Sequence, residues 1–165
     1  MPSDPSTAVI ELTWAGGTLP LATTIAVYAH GRVVRMRTET GFPPAIDERT
    51  LPPARVDELV GTAIRCGLAT TTPRELSDQQ DELRRAREEA ATRVRGLKVL
   101  EADSSDSGTL SLRVRLDGLN SPYRPVDNTL RVRDLDSHRI VDSTIPEIMG
   151  LAAISDDLSA LFRAK

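Results

Sequence analysis

The chain has 165 residues and a mass of 18.0 kDa, the size of one domain, which excludes a large multidomain enzyme. Hydrophobic residues make up 39% of it and aromatics only 3%, so aliphatic side chains must build the core, and aromatic cages or base-stacking platforms are not expected. With 21 Lys and Arg against 24 Asp and Glu the formal net charge is −3, which argues against a general polyanion binder but leaves room for a local basic patch.

Lys98 and Lys165 are the only lysines, so arginine carries nearly all the positive charge. Cys66 is the single cysteine, which rules out an internal disulfide and makes the reducing cytoplasm the expected compartment. Residues 1–7 lack the basic and apolar regions of a signal peptide and read as a short disordered lead to a single α+β domain over 8–165. No stretch approaches the roughly 18 consecutive apolar residues of a membrane span.

Val9, Ile10, Leu12 and Trp14 mark a first strand that stops at Ala15-Gly16-Gly17. The runs from Leu21 to Ala29 and from Arg32 to Thr40 form a hairpin around His30-Gly31, where glycine supplies the positive φ of a tight turn. Leu51-Pro52-Pro53 opens a helix whose stripe is Val56, Leu59, Val60, Ala63 and Ile64 and whose stop is Gly67.

A longer helix is expected over 77–97 as an insertion at about 74–98, with Ser77 and Gln80 as its capping box. Its apolar stripe of Leu83, Ala86, Ala90, Val94 and Leu97 is thin, so it packs on one narrow face or stands partly exposed. Residues 104–108 read as a loop. Leu110, Leu112, Val114 and Leu116 then alternate with polar residues as a half-buried strand, and Leu130 and Val132 begin another. Ile140, Val141 and Ile145 suggest a further strand before Pro146, and Ser155 caps a short helix ending at Phe162. The sum is an α+β fold, an antiparallel sheet of about five strands with helices on one face.

Catalytic signatures are sparse. No phosphate-cradling glycine loop occurs, and His30 and His138 lack the spacing that would put two ligands on one metal, so both read as surface residues. The pairs Asp103/Asp106, Asp134/Asp136 and Asp156/Asp157 read as loop carboxylates rather than calcium ligands, and Cys66 as a small helix-end residue. No catalytic residue, metal or cofactor is expected. A site assembled in space from scattered Asp, Ser and His is the one enzymatic alternative.

The least ordinary pattern is a repeated Arg-x-Arg. Arg35 and Arg37, Arg113 and Arg115, and Arg131 and Arg133 each put two arginines on one face of a strand and an apolar residue on the other. Were these strands neighbours, six guanidinium groups would share one sheet face and form a docking surface for an acidic protein or a phosphate backbone. Interleaved acids, or strands that are not adjacent, would leave an ordinary solvated face. A protein partner is expected; nucleic acid is possible but not favoured.

The segments Ile10-Glu11-Leu12-Thr13-Trp14-Ala15-Gly16-Gly17, Leu51-Pro52-Pro53-Ala54-Arg55-Val56-Asp57-Glu58-Leu59 and Leu110-Ser111-Leu112-Arg113-Val114-Arg115-Leu116-Asp117-Gly118, with a C-terminal helix, resemble the emfourin-like proteins. These are small bacterial α+β proteins named for a member that inhibits thermolysin-type metalloproteases. The resemblance implies a non-enzymatic interaction module, in its sharpest form an inhibitor, and assigns no inhibitory residue. The helix at 77–97 and the strands after Gly118 lie outside the compact family pattern.

Overall fold

The computed structural model describes residues 1–2, 4–16, 21–93, 108–117 and 125–163. Alternation of apolar and polar side chains, which a pleated strand sends to opposite faces, produces six strands: β1 (Ala8–Gly16), β2 (Leu21–Tyr28), β3 (Arg32–Glu39), β4 (Ala45–Thr50), β5 (Gly108–Leu116) and β6 (Val126–Arg133). They form one antiparallel sheet in the order β4-β3-β2-β1-β5-β6. The register sets Ile10 beside Val27 and Val114, and Leu12 beside Ile25 and Leu112, with Leu130 next to Leu112. All seven are buried, so this face holds the core.

Four helices complete the fold: α1 (Pro53–Arg65), α2 (Pro73–Arg93), α3 (Leu135–Val141) and α4 (Pro146–Ala160). The fold is α+β as expected, with six strands rather than about five. The α1 stripe of Val56, Leu59, Val60 and Ala63 is buried in the core. Its end is a Schellman motif: the Gly67 N–H donates to Ile64 O and the Leu68 N–H to Ala63 O, with Gly67 at φ 75°. In the hairpin turn Gly31 sits at φ 91°, and a Cβ there would lie 2.2 Å from the Leu51 carbonyl oxygen, so no other residue fits. The Gly31 oxygen accepts the Leu51 N–H at 2.8 Å, which ties the turn to the start of α1.

α4 is buried on several sides because it packs against α1, α3 and the sheet; Ile148, Leu151, Ile154 and Leu158 are all at most 1% exposed. The loop between α1 and α2 is pinned from two directions. The Asn128 Nδ2 donates to the Leu68 and Thr71 carbonyls, each at 2.8 Å, and the Thr71 hydroxyl donates to Glu147 Oε1 at 2.6 Å.

Four expectations are corrected. β4 follows Phe42-Pro43-Pro44, where no strand was expected, because its residues pair with β3 from Arg32 to Arg37 while lacking an apolar face of their own. Residues 140 and 141 belong to helix α3 rather than a strand: Asp134, at φ 51°, caps it by accepting from the Ser137 N–H at 3.4 Å and the Ser137 hydroxyl at 2.6 Å. α4 begins at Pro146, so Ser155 is a buried mid-helix residue and not a cap. α2 begins at Pro73 with Thr72 and Glu75 as the reciprocal capping box, the Thr72 N–H donating to Glu75 at 2.7 Å and the Glu75 N–H to the Thr72 hydroxyl at 3.2 Å. Only Leu76 of α2 is fully buried, as its thin stripe implies; residues 94–97 of the expected helix lie outside the described residues.

Candidate functional site

Strand register decides which arginines meet. Arg113, Arg115, Arg131 and Arg133 alternate with buried Leu112, Val114, Leu130 and Val132, so all four stand on the face opposite the core. None is directly opposite another: Arg113 faces Thr129, Arg115 faces Asp127, Arg131 faces Ser111 and Arg133 faces Thr109. That stagger avoids the repulsion that like charges suffer when they face each other across strands.

Arg35 and Arg37 are on the other face. Val33 sits beside Val27 in the core, and the two-residue period then carries Arg35 beside Ile25 and Arg37 beside Thr23 on the core side. The expectation that six guanidinium groups share one face is therefore corrected to four on one face and two on the other, with β2 and β1 between β3 and β5.

The two sets are also partnered differently. On the open face Arg113 grips Asp127 in a two-pronged ion pair at 2.6 and 2.5 Å; the hydrogen bonds lower the Asp127 carboxyl below its usual range and raise Arg113. Arg115 lies 3.6 Å from Glu11 and 3.8 Å from Asp127. Arg131 is exposed and makes no ion pair among the described residues. On the core side Arg35 donates to Asp47 at 3.0 and 2.5 Å, and this hydrogen bonding holds the Asp47 carboxyl below its usual range. The same guanidinium lies 4.4 Å from the centre of the Phe162 ring, and Arg49 approaches that ring at 5.7 Å.

Turning Arg35 and Arg37 inward turns Met36 outward. It faces Ile46 across β3 and β4, and the two are 38% and 65% exposed, with half-buried Val34 and Ala26 on the same face. The open face thus carries the exposed Met36–Ile46 pair beside the Arg32–Glu48 ion pair at β3-β4 and four arginines at β5-β6, with a Thr13–Thr24 hydroxyl hydrogen bond of 3.1 Å between. The acids that interleave with its arginines are Glu11 and Asp127 at β5-β6 and Glu48, which holds Arg32, at β3-β4.

His30 is exposed in the hairpin turn beside Tyr28. His138 is half-buried rather than free on the surface: α3 directs it onto Asp142, which is 3% exposed, with Nδ1 at 2.6 Å from Asp142 Oδ2. Arg87 and Gln80 of α2 donate to the same carboxylate. Burial pushes the Asp142 carboxyl up, but hydrogen bonds from His138 and Arg87 outweigh it and hold the group below its usual range. The signal was legible as His-x-x-x-Asp at helical spacing across a stretch read as a strand.

With Nδ1 committed to Asp142, Nε2 is the ring's remaining base; among the described residues no hydroxyl or thiol hydrogen-bonds to it, and no three His, Cys, Asp or Glu side chains converge on one point. Asp156 is engaged by Arg139 and Asp157 by Arg55, while Asp103 and Asp106 lie outside the described residues. Cys66 is the C-cap of α1. No described helix is long and apolar enough to cross a membrane. No family model matches the chain, and no curated protein matches it at a significant level.

Proposed function

We infer that the chain is a non-enzymatic interaction module that docks a protein partner on the open face of its sheet, in the cytoplasm. The observation that carries this reading is the exposed Met36–Ile46 pair set on the same face as four arginines. Methionine and arginine are enriched in protein interfaces, and an apolar centre with a charged flank is their usual anatomy. The complementary partner presents an apolar patch beside carboxylates. A nucleic-acid backbone is a poorer match, because Arg113 and Arg115 are already engaged with Asp127 and Glu11 rather than free for phosphates. The sharper form, inhibition of a thermolysin-type metalloprotease, rests on the emfourin-like resemblance.

The test uses two double variants, Arg113→Glu with Arg131→Glu and Met36→Asp with Ile46→Asp, all at exposed or half-exposed positions. Partner complexes from lysate are measured by native mass. Loss in both variants supports the reading, loss in the arginine variant alone moves the site to the anion-binding alternative, and retention in both removes the open face from consideration. Titration of the chain against a thermolysin-type protease with no loss of proteolysis discards the inhibitor form.

A further inference from the structure

The two edges of the sheet differ in cover. At one edge α2 touches β6, and Asn128 ties that strand to the loop after α1. At the other, β4 is paired with β3 alone, and every residue of it except Asp47 is exposed. The Leu51 N–H donates to the Gly31 oxygen, and this bond sets the phase of the β3-β4 ladder. Ala45, Asp47 and Arg49 turn their backbone groups to β3, whereas Ile46, Glu48 and Thr50 turn theirs outward. The outward Glu48 carbonyl accepts from Arg49 Nη1 at 2.9 Å, an exposed contact that a strand N–H can replace.

The side chains along this edge differ by face. On the open face Ile46 is exposed, and Glu48 is neutralised by Arg32, two bonds of 3.0 Å each. On the other face Arg35, Arg37 and Arg49 surround one carboxylate: Arg35 and Arg37 lie 2.5 and 3.6 Å from Asp47 Oδ2, and Arg49 shares the Phe162 ring with Arg35. Three guanidinium groups against one carboxylate leave a positive surplus, which repels a second copy of β4 and attracts carboxylates. Pro43-Pro44 and Pro52-Pro53 bracket the edge, so it accepts only a short segment.

We propose that β4 takes up an extended acidic segment of a protein partner as an added antiparallel strand, continuing the all-antiparallel sheet. Its alternate carboxylates lie on the Arg35-Arg37-Arg49 side and its alternate apolar side chains beside Ile46. This rests on the reading that a protein partner docks at the Met36–Ile46 end of the sheet, and names the segment that does so. The ladder phase assigns the backbone as well. The segment's apolar residues, opposite Ile46, Glu48 and Thr50, exchange hydrogen bonds with the edge, and its acidic residues turn their N–H groups away.

The full chain is titrated with a labelled octapeptide of alternating Glu and Val, read by fluorescence anisotropy. The same peptide is tested with Lys in place of Glu, and N-methylated either at every Val or at every Glu. The expected result is saturable binding of the parent peptide, weakened at least tenfold by Lys and by methylation of Val, and far less by methylation of Glu. No saturable binding of the parent, equal binding of the Lys peptide, or methylation of Val costing no more than that of Glu overturns the proposal. In the lysate measurement, Glu48→Pro removes an N–H that β3 does not use, and Glu48→Gln keeps it. A partner lost from the Met36→Asp, Ile46→Asp chain but kept by a folded Glu48→Pro chain leaves the docking face standing and overturns the added strand. Loss from both, with Glu48→Gln retaining the partner, supports it.

Discussion

Arg35-Met36-Arg37 on β3 and Arg113-Val114-Arg115 on β5 have the same pattern, and the fold turns them to opposite faces. In β5 the apolar residue points into the core and the arginines to the open face. In β3, beyond Val33, the arginines point to the core side and Met36 points out. The difference follows from what lies above each strand. The core face of β5 is under the helices, where Leu110, Leu112, Val114 and Leu116 all meet the low polarity of the core. The later part of β3 reaches toward the rim, where Asp47 and Phe162 give an inward guanidinium a carboxylate and a ring. An alternating pattern thus specifies two faces without saying which is inside, and the inverted strand supplies both the exposed Met36 of the open face and the guanidinium that meets Asp47 and Phe162 on the core side.

The largest expected effect tests the inward apolar residue. Leu112→Ala should cost about 2–5 kcal/mol as a core truncation, read as a drop in the urea midpoint with unchanged slope. A cost near that of a surface substitution would contradict the register of β5.

The next contrast sets a carboxylate turned inward against one turned outward. Asp142→Asn should destabilise by about 1–3 kcal/mol, because the buried acceptor of His138 and Arg87 loses its charge. Asp127→Asn removes an exposed partner and should cost less. Both carboxyls titrate below their usual range in the folded chain, so their stabilisation is present above the ordinary carboxylate pKa and is lost as pH falls through the folded-state values. Urea melts from neutral pH down to about pH 3 should therefore show wild-type stability falling toward acid, with a shallower fall in Asp142→Asn.

Between the arginines themselves, Arg35→Ala should cost about 0.5–2 kcal/mol through its Phe162 contact, and Arg113→Ala roughly 0.2–1 kcal/mol as an exposed ion pair. Equal costs would erase the distinction between the two faces. The smallest effect belongs to Met36→Ala, within about 0.5 kcal/mol, because the side chain has left the core.

Much of the fold was legible because its signals are local. The β2–β3 hairpin follows from Gly31, α1 from Pro53 and the Val56-Leu59-Val60-Ala63 stripe, and β5 from four alternating aliphatics. β4 was illegible because an edge strand needs only a neighbour to pair with, and its one large apolar residue, Ile46, faces solvent. The start of α4 was carried by Pro146, as Pro53 carries that of α1, but an aliphatic run just before it resembled a strand. In the candidate site, the four arginines of β5 and β6 were readable as a group because their apolar neighbours all point one way. The inward turn of Arg35 was not, since it depends on Asp47 from β4 and Phe162 from the far end of the chain.

The most direct test of the docking surface is the native mass of the protein drawn from its own cell lysate at low and at high salt, with the co-purifying species identified. An interface centred on Met36 and Ile46 predicts a protein partner that survives high salt. A partner shed steeply as salt rises, or a bare monomer under both conditions, would contradict it.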